Sequence, residues 1–314
     1  MREFTHINAT TVADASSAKA DGGAILAGGT DLLGLEKDFV MPTSAGTMVN
    51  IKTIPDMSGI ADSGGLKIGA LAKLSDIAES SVVKSKWSSL AEAALKVGTP
   101  QLRNMGTIAG NLCQECRCWY YRADHNFFNC LRKGGNLCFA TIGNNTFNAI
   151  LGGQACFAVA PSDTAIPLVA LDATLVTNNR SMPIADLFEV LGITLGDDEI
   201  VTEIQVPTPA AGTIQAFKKY AIRKAFDFAC ASAAVSITVS GGNVSDCKIV
   251  LGGVAPVPWR AIAAEDELKG GPVNASTAAA AAAKATEGSF ALANNGWLIH
   301  VAQAQVKRAI LAAV

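Results

Sequence analysis

Eight cysteines are spread unevenly along the chain: five lie between Cys113 and Cys138, and a sixth, Cys156, follows closely. Thiols gathered in this way are read as metal ligands rather than as a disulfide framework. One tetrad is Cys118-x11-Cys130-x7-Cys138-x17-Cys156, and a competing set starts from the close triplet Cys113-x2-Cys116-x-Cys118. Thiolates suit zinc and iron–sulfur clusters alike, so spacing leaves both open. Two features lean towards iron–sulfur. No C-x2-C pair is matched by a second, as a zinc ribbon would show, and Arg117, Arg122, Arg132, Lys133, Trp119, Tyr120 and Tyr121 could offset and shield a negatively charged cluster. His6, His125 and His300 are scattered; only His125 falls among the cysteines, and it is read as exposed rather than as a ligand.

A second chemistry is carried by glycines. LAGGTDLL, residues 26–33, follows an apolar strand, and RNMGTIAGNL, residues 103–112, offers Gly106, Thr107, Gly110 and Asn111 in a short space. Glycines let backbone N–H groups approach a phosphate closely, and two such loops could clasp an extended pyrophosphate ligand. Neither loop matches G-x-G-x-x-G or a Walker loop, and tight turns would use the same residues. Cys230 and Cys247 sit in alternating strands as small hydrophobes, and no nucleophile elbow is present.

The elements that must position these loops follow from local pattern. Residues 1–54 read as a βαβ-like lobe: an entry strand, the helix TTVADASSAKA, the strand AILA running into the glycines, and the strand MVNI. Residues 55–212 form a second lobe, with a turn at Gly64-Gly65, the strand LKIGA, and a helix through SSLAEAALKVGTP that stops at Pro100. QLRNMGTIAGNL is expected as extended or loop chain, SMPIADLF as a short helix, and DDEIVTEIQVP as an edge strand ended by Pro207. The insertion at about 113–157 has no sustained period of two or 3.6 and needs something other than an apolar core to order it. TPAAGT is the linker to residues 213–314, a separate α+β domain of strands, a glycine hairpin turn and Ala-rich helices.

At 314 residues the chain exceeds one small core, and a net charge of −2 lacks the cationic excess of a nucleic-acid or acidic-membrane binder. With no apolar run long enough to span a bilayer and no secretory pattern at its start, the chain is expected to be cytoplasmic, or periplasmic if carried out with a signal-bearing partner.

Five blocks, LAGGTDLL, TPQLRNMGTIAGNL, APSDTAIPLVALDATL, EIVTEIQVP and AFKKYAIRKAFDFACASAAVSI, occur in the order and spacing of one family. The chain resembles the FAD-binding medium subunit of molybdenum hydroxylases, the xanthine dehydrogenase and carbon monoxide dehydrogenase flavoprotein family, over essentially its whole length. The resemblance implies an α+β architecture: a two-lobed vanillyl-alcohol-oxidase-type (PCMH) FAD domain followed by a C-terminal α+β domain. It implies that Leu26, Ala27, Gly28, Gly29, Thr30, Asp31 and Leu32, with Gly106, Thr107, Gly110 and Asn111, hold the FAD pyrophosphate and ribityl chain. It further implies that Asp163 contacts the cofactor, Ile200 lies near the isoalloxazine and Lys219 sits beside the ring, where a cation favours the anionic reduced flavin.

Most members join GNL directly to the Ser-Asp segment. The insertion here is similar to that of 4-hydroxybenzoyl-CoA reductase and the periplasmic aldehyde oxidoreductases, whose flavin subunits carry a four-iron four-sulfur cluster. Their pattern falls on Cys118, Cys130, Cys138 and Cys156; Cys113 and Cys116 have no counterpart in it and are spare thiols or an alternative ligand pair. The resemblance implies an oxidoreductase subunit that relays electrons, working beside a molybdopterin-containing large subunit and a small subunit with two two-iron two-sulfur clusters. Its external partner would be a ferredoxin or NAD; the charge balance separately argues against nucleic acid or membrane as a partner. The alternative is a stand-alone FAD oxidoreductase with structural zinc.

Overall fold

Thr11 opens the first helix, Val12–Ala20, with a capping box: its hydroxyl accepts from the Asp14 N–H while the Asp14 carboxylate accepts from the Thr11 N–H. In the computed structural model, which describes residues 1–313, this helix links β1 (Thr5–Asn8) to β2 (Ala24–Leu26), and β3 (Thr47–Asn50) lies between them. Both pairings to β3 are parallel, so the βαβ-like lobe expected from the pattern is present. Leu26 ends the sheet, and the chain leaves it straight into Gly28-Gly29.

The second lobe is a five-stranded antiparallel sheet. β4 (Ile60–Asp62) and β5 (Leu66–Gly69) are joined by a turn in which Gly64 and Gly65 both take positive φ, a conformation that an L side chain resists. β6 (Thr174–Thr177) and β7 (Ser181–Pro183) form the other edge, β8 (Phe188–Glu189) and β9 (Gly192–Ile193) make a separate hairpin, and β10 (Val201–Val206) completes the sheet in the order β4-β5-β10-β6-β7. The pattern predicts an edge strand at β10, and the structure places it at the centre. Pro207 lies one residue past the ladder and removes no donor from it, so it marks the strand's end and says nothing about its neighbours.

Two further expectations are corrected. Residues 100–112 are not extended: Thr99 and Thr107 each cap a short helix, Pro100–Arg103 and Ile108–Leu112, the first with proline in its opening turn where the missing N–H costs nothing. SMPIADLF is β7 followed by a 3-10 turn, Ile184–Leu187.

The C-terminal domain is a four-stranded antiparallel sheet of β11 (Thr213–Tyr220), β12 (Ala231–Ser240), β13 (Asn243–Gly252) and β14 (Trp259–Arg260), backed by the helices Ile262–Leu268, Ala275–Lys284 and Trp297–Ala312. Gly241 and Gly242, both at positive φ, turn β12 into β13. Small alanines on β12 let the long helix approach one face, and Phe217, Ala234 and Val250 on the other join the core of the two lobes. The architecture is therefore two lobes and a C-terminal α+β domain. Cys230 and Cys247 are buried in that domain's core, as small hydrophobes. Among the described residues no helix is long and apolar enough to cross a membrane.

Candidate functional site

The first glycine loop is fixed from below and from the side. Lys52 Nζ donates to the carbonyl of Ala27 at 2.9 Å and to that of Leu26 at 3.4 Å, holding the strand's last residues. Gly29 takes φ +70°, and a Cβ on Gly28 would lie 2.1 Å from the Met105 carbonyl oxygen. The two glycine loops therefore touch backbone to backbone, which only glycine permits at position 28.

The second loop is held through its own helix cap and through a buried polar clamp. Thr107 Oγ1 accepts from the Gly110 N–H at 3.2 Å. Asn111 Oδ1 accepts from Ser162 Oγ and from Thr164 Oγ1, each at 2.7 Å, so the side chains flanking Asp163 are tied to the loop. Lys219, on β11 of the C-terminal domain, donates to Asp163 Oδ2 at 2.6 Å and to the Lys96 carbonyl at 3.0 Å. The side chains of this pair are 7% and 5% exposed, so each charge depends on the other. Burial pushes the Asp163 carboxyl above its ordinary range, and Lys219 opposes that push.

These pieces enclose a cavity of about 800 Å³, within the range of small-molecule and cofactor sites. Its wall includes Ala27, Gly28, Gly29, Thr30, Asp31, Leu32, Gly106, Thr107, Gly110, Asn111, Asp163 and Lys219. Two residues of the expected set lie outside it. Leu26 packs beneath Gly29, and Ile200 is buried in the shared core, where its N–H donates to Asn178 Oδ1 at 2.7 Å. The wall also contains Cys113 and Arg117, which the sequence pattern assigns to the thiol cluster, and Phe226 and Phe228, which it does not single out. The guanidinium of Arg117 stacks 4.6 Å from the centre of the Phe228 ring and bonds to Asp31 at 2.8 Å. The alternation of apolar and charged residues in KAFDFAC was the only sequence signal for the two phenylalanines.

The cysteine segment forms a second, much smaller cavity. Cys118, Cys130, Cys138 and Cys156 all line it, and so does Cys116, whereas Cys113 faces the large cavity instead. His125 is exposed and stacks on Phe39, away from the thiols.

Two donors point at sulfur: Ala158 N–H reaches Cys156 Sγ at 3.4 Å and Asn148 Nδ2 reaches Cys118 Sγ at 3.7 Å. The neighbouring Cys138 and Cys156 thiols pull in opposite directions, Cys138 below and Cys156 above the ordinary thiol range, and burial pushes Cys116 up to about 12. Two cations stand close by. Lys133 is buried, with its Nζ bonded only to the Val40 carbonyl at 3.2 Å, and the Arg132 side chain is 10% exposed. Thiols with buried cations behind them are the donor set that a negatively charged, thiolate-bound group requires. Among the described residues, no three His, Cys, Asp or Glu side chains converge closely enough to hold one ion.

Residues 2–209 match the family described as the FAD binding domain in molybdopterin dehydrogenase, and residues 215–313 match the CO dehydrogenase flavoprotein C-terminal domain. The chain is 33% identical over 287 residues to the aldehyde oxidoreductase FAD-binding subunit PaoB of Escherichia coli, covering 86% of this chain and 87% of that one. It is 28% identical to the glyceraldehyde dehydrogenase medium chain of Sulfolobus acidocaldarius, covering 87% and 83%. Its fold is similar to a chain of carbon monoxide dehydrogenase from Hydrogenophaga pseudoflava, solved in a form lacking the Mo-pyranopterin moiety of the molybdenum cofactor. The TM-score is 0.78 at 27% identity, over 99% of this chain and 97% of that one.

Proposed function

The chain belongs to the family of FAD-binding subunits of molybdopterin dehydrogenases, and from that premise we propose that it binds FAD in the large cavity, carries a four-iron four-sulfur cluster in the thiol cavity and relays electrons within a molybdenum hydroxylase complex. The observation that carries the reading is the convergence of both glycine loops with Asp163 and Lys219 on one cavity, while Cys118, Cys130, Cys138 and Cys156 gather on another. Residues 1–54 and 55–212 are the two FAD lobes, the latter holding the cluster insertion at about 113–157, and 213–314 is the domain that delivers Lys219.

Each residue group has a defined task. The backbone of Gly28–Thr30 and of Gly106–Thr107 would hold the pyrophosphate, and the Thr107 and Asn111 bonds keep the second loop in shape. Lys219 supplies a fixed positive charge at the ring, and Asp163 aims it. FAD, when bound, supplies exchange between one-electron and two-electron carriers, and the cluster supplies a one-electron branch. No residue of this chain is asked to perform acid–base work on a substrate, which belongs to the molybdopterin-containing large subunit; a small subunit with two two-iron two-sulfur clusters would feed the flavin, and a ferredoxin or NAD would exchange electrons outside the complex.

Anaerobic reductive titration of the purified full chain tests the proposal. Uptake of about three electrons per chain, two by flavin and one by the cluster, is expected. Uptake of two would remove the cluster from the reading, and uptake of none would remove both groups.

A further inference from the structure

Asp31 lies on the wall of the large cavity, on the side that faces the cysteine segment. It is the N-cap residue of the helix Leu32–Lys37, a position at which aspartate ordinarily turns its carboxylate onto the N–H groups of the first turn. Here the side chain makes no cap hydrogen bond. Every hydrogen-bond and ion-pair partner of its carboxylate comes from the cysteine segment: Arg117 Nη1 at 2.8 Å and Arg122 Nη2 at 2.7 Å on Oδ1, and the Glu115 N–H at 2.9 Å on Oδ2. Arg122 then grips the segment itself, donating through Nε to the Cys116 carbonyl at 2.8 Å and through Nη2 to the Glu115 carbonyl at 2.9 Å. Asp31 lines the large cavity, Cys116 lines the thiol cavity, and Arg122 lines neither.

We propose that the Asp31–Arg122 pair is the joint through which the cysteine segment sets the shape of the first glycine loop, so that FAD affinity depends on that segment being ordered. By thermodynamic reciprocity, bound FAD stabilises the cysteine segment by the same factor. The proposal rests on the FAD reading of the large cavity. Its physical basis is where the carboxylate finds its partners: the Leu33 and Gly34 N–H groups of its own helix are already taken by the Gly29 and Asp31 carbonyls, so Asp31, next in the chain to Gly28–Thr30, is tied to the cysteine segment instead. Loss of Arg122 leaves the carboxylate only Arg117 and the Glu115 N–H and loosens that tie. Arg122 is thus a positioning residue.

The test is a double-mutant cycle in the full chain, read as the FAD dissociation constant by flavin fluorescence. Asp31→Asn and Arg122→Gln should each weaken FAD binding about tenfold, within the ordinary range of coupling between sites. The double variant should be no weaker than the worse single variant. Arg122→Lys, which keeps the charge but places its donors on one nitrogen and so cannot make the forked contact, should recover part of the loss.

A dissociation constant within twofold of wild type for Arg122→Gln overturns the proposal, and so do losses in the double variant that multiply as independent effects. Should Arg122→Gln fail to fold, Cys130→Ser disturbs the segment from its other side and should weaken FAD by a similar factor; undiminished affinity there is equally contrary. Failure of the wild-type chain itself to bind FAD would overturn the reading of the cavity, and this proposal with it.

Discussion

The two cavities are built by opposite means. The large one is made of backbone: glycine loops that follow a strand and a capped helix, braced by the Asn111 clamp and the Asp163–Lys219 pair, and set against the main core. The thiol cavity sits in a segment with one short helix, Trp119–Arg122, and three 3-10 turns. Its apolar residues form two small clusters, one of them with Cys116, Cys130 and Cys156 among its buried members, while Trp119, Phe127 and Ile142 remain exposed. The difference teaches that the first cavity is shaped mainly by the fold, with the cysteine segment bracing one side of it through Asp31, whereas the second is a segment that a bonded group must order. In the first, loss of the ligand removes function; in the second, it removes local structure as well.

The largest effect that could break this contrast is at Cys130. Cys130→Ser should abolish iron binding and open the segment to trypsin at Arg132 and Lys133, which are buried or nearly so in the ordered chain. Cys113→Ala, whose thiol faces the other cavity, should keep its iron. Retention of iron in the first or its loss in the second would reverse the assignment of the thiols. Gly28→Ala comes next. A methyl group placed 2.1 Å from the Met105 carbonyl forces the loops apart; stability should fall by about 1–3 kcal/mol and FAD affinity at least about a hundredfold. Iron content should stay within about a factor of two, and FAD titration with iron analysis reads both.

The smallest effect concerns Glu199, which lines neither cavity. Its bond to Arg180 holds the carboxyl down at about 2, against an ordinary 4.5. A depressed carboxyl stabilises the fold above its unfolded value, and that contribution drains away as pH falls from 4.5 towards 2. Because Arg180 is half exposed, the contribution is about 2 kcal/mol at neutral pH. Glu199→Gln should lose that stability at neutral pH and show a shallower acid limb in thermal melts between pH 2 and 5, with flavin content unchanged. A changed flavin spectrum would bring the adjacent Ile200 back to the site.

The strands of the first lobe were legible because AILA and MVNI are short apolar runs bounded by turn residues, and the C-terminal hairpin because Gly241-Gly242 marks its turn. The central position of β10 was not, since β5 and β6 are far apart in the chain and no local pattern records which strands pair. The short helices at 100–112 were hidden by Pro100, which reads as a breaker unless the preceding Thr99 is recognised as a cap. At the sites, the cysteine cluster and glycine loops could be read from spacing, and Asp163 and Lys219 only through the family resemblance, which named them singly; that they form an ion pair is seen only in the structure. Cys116 and Cys113 could not be separated by spacing; the Cys113 C-cap of the helix Ile108–Leu112 and the turn after it send them to different cavities. The bond from Asp31 to Arg122 spans 91 residues and leaves no local trace.

One measurement tests the central claim most directly: iron, zinc and flavin quantified together in the full-length chain purified without oxygen. The account predicts about four irons and one FAD per chain, with a broad visible shoulder beneath the flavin bands. Stoichiometric zinc without iron, or a chain that neither holds nor takes up flavin, would contradict it.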